Sequence, residues 1–153
     1  VELAPWLEEE VDSMRILGRS LEFSVDCSKL PESLHVDLDL KSMPYAVTNL
    51  LRNALKYTTS QIVVSAEVVD DYIRIHVDDD GIGIPPEERQ RVFFAFTRLD
   101  RSRDRATGGY GLGLAIVRLV LEQHGGTASA EESPLGGARF TISWPLLQNV
   151  TEN

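Results

Sequence analysis

The chain is 153 residues long, 42% hydrophobic and 25% charged, with a formal net charge of −9. These values describe one globular domain and exclude collagen, coiled coil and wholesale disorder; the acidic balance argues against a nucleic-acid or anionic-lipid binder. One cysteine, Cys27, excludes an internal disulfide framework, and three scattered histidines beside it argue against structural zinc.

Residues 3–17 set Leu3, Leu7, Val11 and Met14 at helical spacing, with Glu8, Glu9, Glu10 and Asp12 on the other face. Residues 20–27 alternate Leu21, Phe23 and Val25 with polar neighbours and predict a strand; residues 35–40 alternate likewise and predict its partner. Residues 44–58 turn helical, with Ser42 as cap and Pro44 in the first turn. Residues 61–69 and 72–79 predict a hairpin around Asp70-Asp71. Pro85-Pro86-Glu87-Glu88 opens a short helix through Phe94, and residues 95–108 read as a mobile loop. Residues 112–124 form a helix stopped by Gly125-Gly126, and residues 127–131 and 138–145 are strands around a turn. This order predicts an α+β fold: a two-layer α/β sandwich whose mixed, mostly antiparallel sheet is covered on one face by helices.

Charge is unevenly spread. Between positions 89 and 105, six arginines face two aspartates, a segment of +4 that leaves −13 elsewhere. A pocket for a small anion and a solvated arginine-rich loop both fit that pattern. On the helix 44–58, taken at about 100° per residue, Asn53 and Lys56 fall within about 40° of Asn49, opposite the apolar stripe. Amide oxygens suit Mg²⁺ that also takes phosphate oxygens, and a lysine can neutralise phosphate; a solvated face is the alternative. The run Asp78-Asp79-Asp80-Gly81-Ile82-Gly83 stacks three carboxylates before two glycines, and a carboxylate there can accept from an exocyclic amine. A calcium loop competes, but the spacing lacks the EF-hand pattern and its bidentate Glu. Gly108-Gly109-Tyr110-Gly111-Leu112-Gly113 runs into a helix, whose free N–H groups attract anions. It fits neither a Rossmann nor a P-loop pattern.

Taken in order, these pieces resemble the catalytic ATP-binding domain of two-component sensor histidine kinases, of the GHKL superfamily. The N box looks like residues 49–57, the G1 box 79–83, the F box 93–98 and the G2 box 109–113, with a G3-like stretch at 136–140. The resemblance implies that Asn53 coordinates Mg²⁺ and that Asn49 stands beside it. Lys56 then contacts phosphate and Tyr57 packs near adenine. Asp79 accepts from adenine N6, with Gly81, Gly83 and Ile84 around the base. Arg98 and Arg103 of an ATP lid reach the γ-phosphate, and Gly109, Gly111, Leu112 and Gly113 hold phosphate oxygens through the amides of residues 111–113.

The expected activity is a protein-histidine kinase that uses Mg·ATP and transfers the γ-phosphoryl to a histidine on a separate dimerisation domain. His35, His76 and His124 lack the acceptor's sequence context. A GHKL ATPase, a serine kinase of a regulator and a nucleotide-binding regulatory module are the alternatives. Related ATPases carry a water-activating glutamate where Asn49 stands, so ATP should be kept for transfer. Ala138 replaces a frequent threonine, which puts a water-mediated contact to the base in doubt. The resemblance further implies residues 1–19 as a connector from the dimerisation domain, 20–146 as the catalytic domain and 147–153 as a tail. It also implies a cytoplasmic location in a membrane-anchored homodimeric receptor, with a response regulator downstream and no nucleic acid.

Overall fold

The computed structural model describes residues 1–18, 20–94 and 113–146. Helix α1 (Leu3–Arg15) ends in a 3₁₀ turn and is followed by β1 (Glu22–Lys29), α2 (Met43–Tyr57), β2 (Gln61–Val69) and β3 (Tyr72–Asp79). Two 3₁₀ turns (Pro86–Glu88 and Arg91–Phe93) precede α3 (Gly113–Gln123), β4 (Thr127–Glu132) and β5 (Ala138–Pro145). The strands form one sheet in the order β1-β2-β3-β5-β4. Only β1–β2 is parallel; the other pairs are antiparallel. The mixed α+β sandwich expected from the element order is therefore the fold observed. Among the described residues no helix is long and apolar enough to cross a membrane.

Alternation builds the core. On β3, Ile73, Ile75 and Val77 are buried under the helices, with Val64 and Ala66 of β2 level with Val77 and Ile75, and Trp144, Ile142 and Phe140 of β5 level with all three. The apolar stripe of α2 (Met43, Ala46, Val47, Leu50, Leu51, Ala54) joins the same cluster, as do Leu3, Trp6, Leu7, Val11 and Met14 of α1. Each fully buried Leu or Ile contributes about 1.5–3 kcal/mol relative to exposure. The β2–β3 turn uses Asp70 and Asp71 at φ 54° and 65°, the left-handed pair of a two-residue hairpin whose twist matches its strands.

Two expectations need correction. Residues 35–40 are not a strand beside β1: β1 is the edge of the sheet and pairs only with β2, in parallel. The segment instead meets the chain's own start, through a bridge between Glu2 and His35 and hydrogen bonds from Val36 N–H to Val1 O (2.8 Å) and Leu3 N–H to Leu34 O (2.9 Å). Two side-chain bonds add to these: Asp39 N–H donates to His124 Nε2 (2.9 Å) and Trp144 Nε1 donates to Asp37 O (3.2 Å). Its alternation reflects inward-facing Val36, not a ladder. Residues 85–94 likewise form two short 3₁₀ turns in place of one helix, a length at which i→i+4 bonding has barely begun.

Candidate functional site

The three carboxylates at the end of β3 meet three different environments. Asp78 points to the open face of the sheet, where Arg139 grips it through Nε (2.8 Å) and Nη2 (3.0 Å). Asp79, only 1% exposed, points to the helix-covered face. Its Oδ1 accepts the N–H groups of Gly81 (2.9 Å) and Ala138 (3.1 Å). Its Oδ2 makes no hydrogen bond among the described residues. Asp80 leaves the strand and gathers the N–H groups of Thr59, Ser60 and Gln61 together with the hydroxyls of Thr58 and Ser60.

The charges respond accordingly. Burial pushes the Asp79 carboxyl up, against the two N–H bonds that favour its ionised form, and Asp80 and Asp78 add to the rise. Asp80 is held far below the usual carboxylate range, chiefly by the Ser60 hydroxyl and N–H. The strap from Asp80 to residues 58–61 fixes the C-terminal end of α2 to the turn after β3.

Glycines complete that junction because no side chain fits. A Cβ on Gly81 would overlap the Tyr57 carbonyl, and one on Gly137 would overlap Asp79 Oδ1. Gly83 sits at φ +74°, a region disfavoured for other residues, with the Gly137 carbonyl 3.5 Å from where its Cβ would be. Ile84 is buried in the core cluster just behind. Tyr57 therefore meets Gly81 directly, and Gly83 meets the turn before β5.

Along α2, Asn49 and Asn53 are half-buried and Lys56 is exposed. Asn49 Nδ2 donates to Tyr45 O (2.8 Å), which turns its Oδ1 toward the first turn of α3, 3.2 Å from the position of an added Gly113 Cβ. The Asn53 carboxamide makes no hydrogen bond to a described residue. Lys56 Nζ lies 5.9 Å from the centroid of the Tyr57 ring. The N-box end of α2, the Asp79 turn, the start of α3 and the turn before β5 are thus joined by direct contacts. Arg98, Arg103, Gly109, Gly111 and Leu112 lie outside the described residues.

No cluster of three or more His, Cys, Asp or Glu able to hold a metal exists among the described residues. A cation here would have neutral amide oxygens for protein ligands and would depend on phosphate oxygens and water, which is the preference of Mg²⁺. The donor set fits that ion. The sequence placed Gly137 and Ala138 in the G3-like stretch, but gave Gly137 and the Ala138 N–H no role at the site. The Gly136-Gly137 pair was the available signal, since one glycine suffices for the turn and the second has to answer a close approach.

A groove of about 710 Å³ between residues 86–94, α3 and β4 is a rival by size. Two of its arginines are held by the protein itself. Arg118 Nε donates to Phe93 O, its Nη1 meets Glu122, and Arg89 donates to Ile84 O.

Comparison with known proteins agrees with the junction. A model of the family "Histidine kinase-, DNA gyrase B-, and HSP90-like ATPase" matches residues 39–148. Sensor protein RstB of Escherichia coli K12 is 44% identical over 129 residues, 84% of this chain and 30% of that protein. Sensor histidine kinase CpxA of the same strain is 52% identical over 101 residues, 66% of this chain and 22% of that protein. The chain thus spans less than a third of these relatives. The ATP binding domain of PrrB from Mycobacterium tuberculosis superposes with a TM-score of 0.77 at 30% identity, covering 97% of this chain and 96% of that one.

Proposed function

The chain belongs to the family of histidine kinase-, DNA gyrase B- and HSP90-like ATPases, and from that membership we propose that it is the catalytic part of a sensor histidine kinase. It binds Mg·ATP and donates the γ-phosphoryl to a histidine on a separate dimerisation domain, for relay to a response regulator. One observation carries the reading: a buried carboxylate, Asp79, has one oxygen saturated and the other open, beside the end of the helix that carries Asn49, Asn53 and Lys56.

In this reading Asp79 Oδ2 accepts from the adenine amino group, while Gly81, Gly83 and Tyr57 border the base. Asn53, with Asn49 beside it, holds Mg²⁺, which spreads the charge of the phosphates. Lys56 and the amide of Gly113 meet phosphate oxygens, joined by Gly109, Gly111, Leu112, Arg98 and Arg103. Catalysis of phosphoryl transfer is mostly positioning and electrostatic stabilisation, which is what these groups provide. Asn49 cannot take a proton from water, and its Nδ2 is committed to the Tyr45 carbonyl. That supports transfer over hydrolysis.

Both ring nitrogens of His76 and of His124 have protein partners, so neither offers a free nucleophile; His35 is exposed, with Nδ1 2.9 Å from Ser33 O, but lacks the acceptor's sequence context, and the acceptor is proposed to lie on another domain. Exposed Phe94, Ile116 and Leu119 provide apolar surface for that domain. Residues 1–19 are proposed as its connector, residues 20–146 as the catalytic domain and residues 147–153 as a tail. The whole receptor is proposed to be a membrane-anchored homodimer with this part in the cytoplasm.

The test supplies a dimerisation domain in trans with γ-labelled ATP. The label is expected on a histidine, with Mg²⁺ required, and Asn53→Ala is expected to lower transfer about 100-fold. Full transfer by Asn53→Ala removes the metal role. Fast steady ATP turnover without an acceptor favours the ATPase reading.

A further inference from the structure

The turn between β4 and β5 grips Asp79 twice. Gly137 N–H donates to the Asp79 main-chain oxygen (3.2 Å), and the next N–H, of Ala138, donates to Oδ1 (3.1 Å). The turn is closed on itself: Ser133 N–H donates to Gly137 O (2.9 Å), Gly136 N–H to Ser133 O (2.9 Å) and Leu135 N–H to Ser133 Oγ (3.0 Å). Ser133 is 3% exposed. A closed turn held against a carboxylate from a distant part of the chain does more than reverse direction.

We propose that Gly137 and Ala138 are the positioning residues that make this site selective for a purine bearing an amino group at position 6. Two N–H donors converge on Oδ1, from Gly81 and from Ala138, so the carboxylate cannot turn. Oδ2 is left as a lone acceptor. An exocyclic amine satisfies it; a 6-oxo purine sets oxygen against oxygen and leaves both buried without a donor, a mismatch that enzymes reject strongly. Gly137 has to lack a side chain because its Cβ would occupy the place of Asp79 Oδ1. This rests on the nucleotide reading above and adds which protein groups set its base preference.

The same geometry dictates what an isosteric change does. In Asp79→Asn the amide oxygen has to take the Oδ1 position, where both N–H groups point, so the NH₂ takes the Oδ2 position. The acceptor becomes a donor facing the base. ATP and inosine triphosphate differ at that edge and form the natural pair of probes.

Binding of Mg·ATP and Mg·ITP to the full chain is measured by calorimetry, with thermal melting as a folding check. The wild type is expected to favour ATP by about 30-fold or more. Asp79→Asn is expected to reverse the order. Gly137→Ala is expected to bring the ATP:ITP ratio to within about threefold of unity; a structural defect alone would weaken both ligands equally. If Gly137→Ala does not fold, Asp79→Asn decides, since it removes no atom from the packing. Asp79→Asn that keeps the wild-type ratio, or weakens both nucleotides alike, overturns the proposal while the nucleotide reading stands. A wild type that binds neither nucleotide overturns both.

Discussion

The two faces of β3 treat buried charge in opposite ways. On the open face, polar groups close on one another. His76, 6% exposed, has Nδ1 2.8 Å from Thr141 Oγ1 and Nε2 2.9 Å from Glu67 Oε2, and Asp78 is held by both arms of Arg139. A cleft of about 270 Å³ opens beside them, and there His76, Asp78 and Arg139 each have a protein partner. On the covered face, Asp79 has one oxygen saturated and one open. A buried polar cluster that satisfies itself is architecture. One that is rigid and keeps an oxygen open offers that oxygen to a ligand, whose donor would satisfy it.

The sharpest way to break this contrast is Asp79→Ala, which is expected to weaken ATP about 100-fold or more while the fold persists. Binding within twofold of wild type would mean that the covered face is no more a site than the open one. Next in size, Arg139→Met leaves the Asp78 carboxylate, 4% exposed, without its partner. It is expected to lose about 2–3 kcal/mol in urea unfolding, with ATP affinity of the folded protein unchanged within twofold.

The pH dependence separates Asp79 from its neighbour Asp80, with opposite signs. The folded pKa of Asp79 is raised, so its ionised form destabilises the native state, and that penalty grows as pH rises from the ordinary value of 3.8 through the folded value. Asp79→Asn, without nucleotide, is therefore expected to melt higher than wild type at pH 7, with the gain gone well below 3.8. The folded pKa of Asp80 is depressed, so its stabilisation is present above 3.8 and is lost as pH falls toward the folded value. Asp80→Asn is expected to melt lower at pH 7 and to converge on wild type in acid. Matching signs for the two variants would refute the division. The smallest effect is expected at Arg15→Ala, which removes an exposed ion pair to Asp12 at 3.2 Å. It should change stability by less than about 0.5 kcal/mol and leave nucleotide affinity alone.

Local signals in the sequence were sufficient for much of the fold. The hairpin strands Gln61–Val69 and Tyr72–Asp79 occur at the bounds their alternation predicts, around the expected Asp70-Asp71 turn. The apolar stripe of α2 is buried, and the sandwich class follows from the order of elements. The order of the boxes pointed to the family because each box keeps its own short pattern. Tertiary structure decided what depends on partners far along the chain. Alternation marked residues 35–40 as two-faced but could not say that β1 pairs only with β2. The run Asp78-Asp79-Asp80 was legible as three carboxylates in need of partners. Which one pairs with Arg139, which straps residues 58–61 and which keeps an oxygen open depends on strand register and on a turn 54 residues or more away. Periodicity is a property of neighbours in sequence; a hydrogen-bond vacancy is a property of everything packed around one atom, and only the folded chain supplies that.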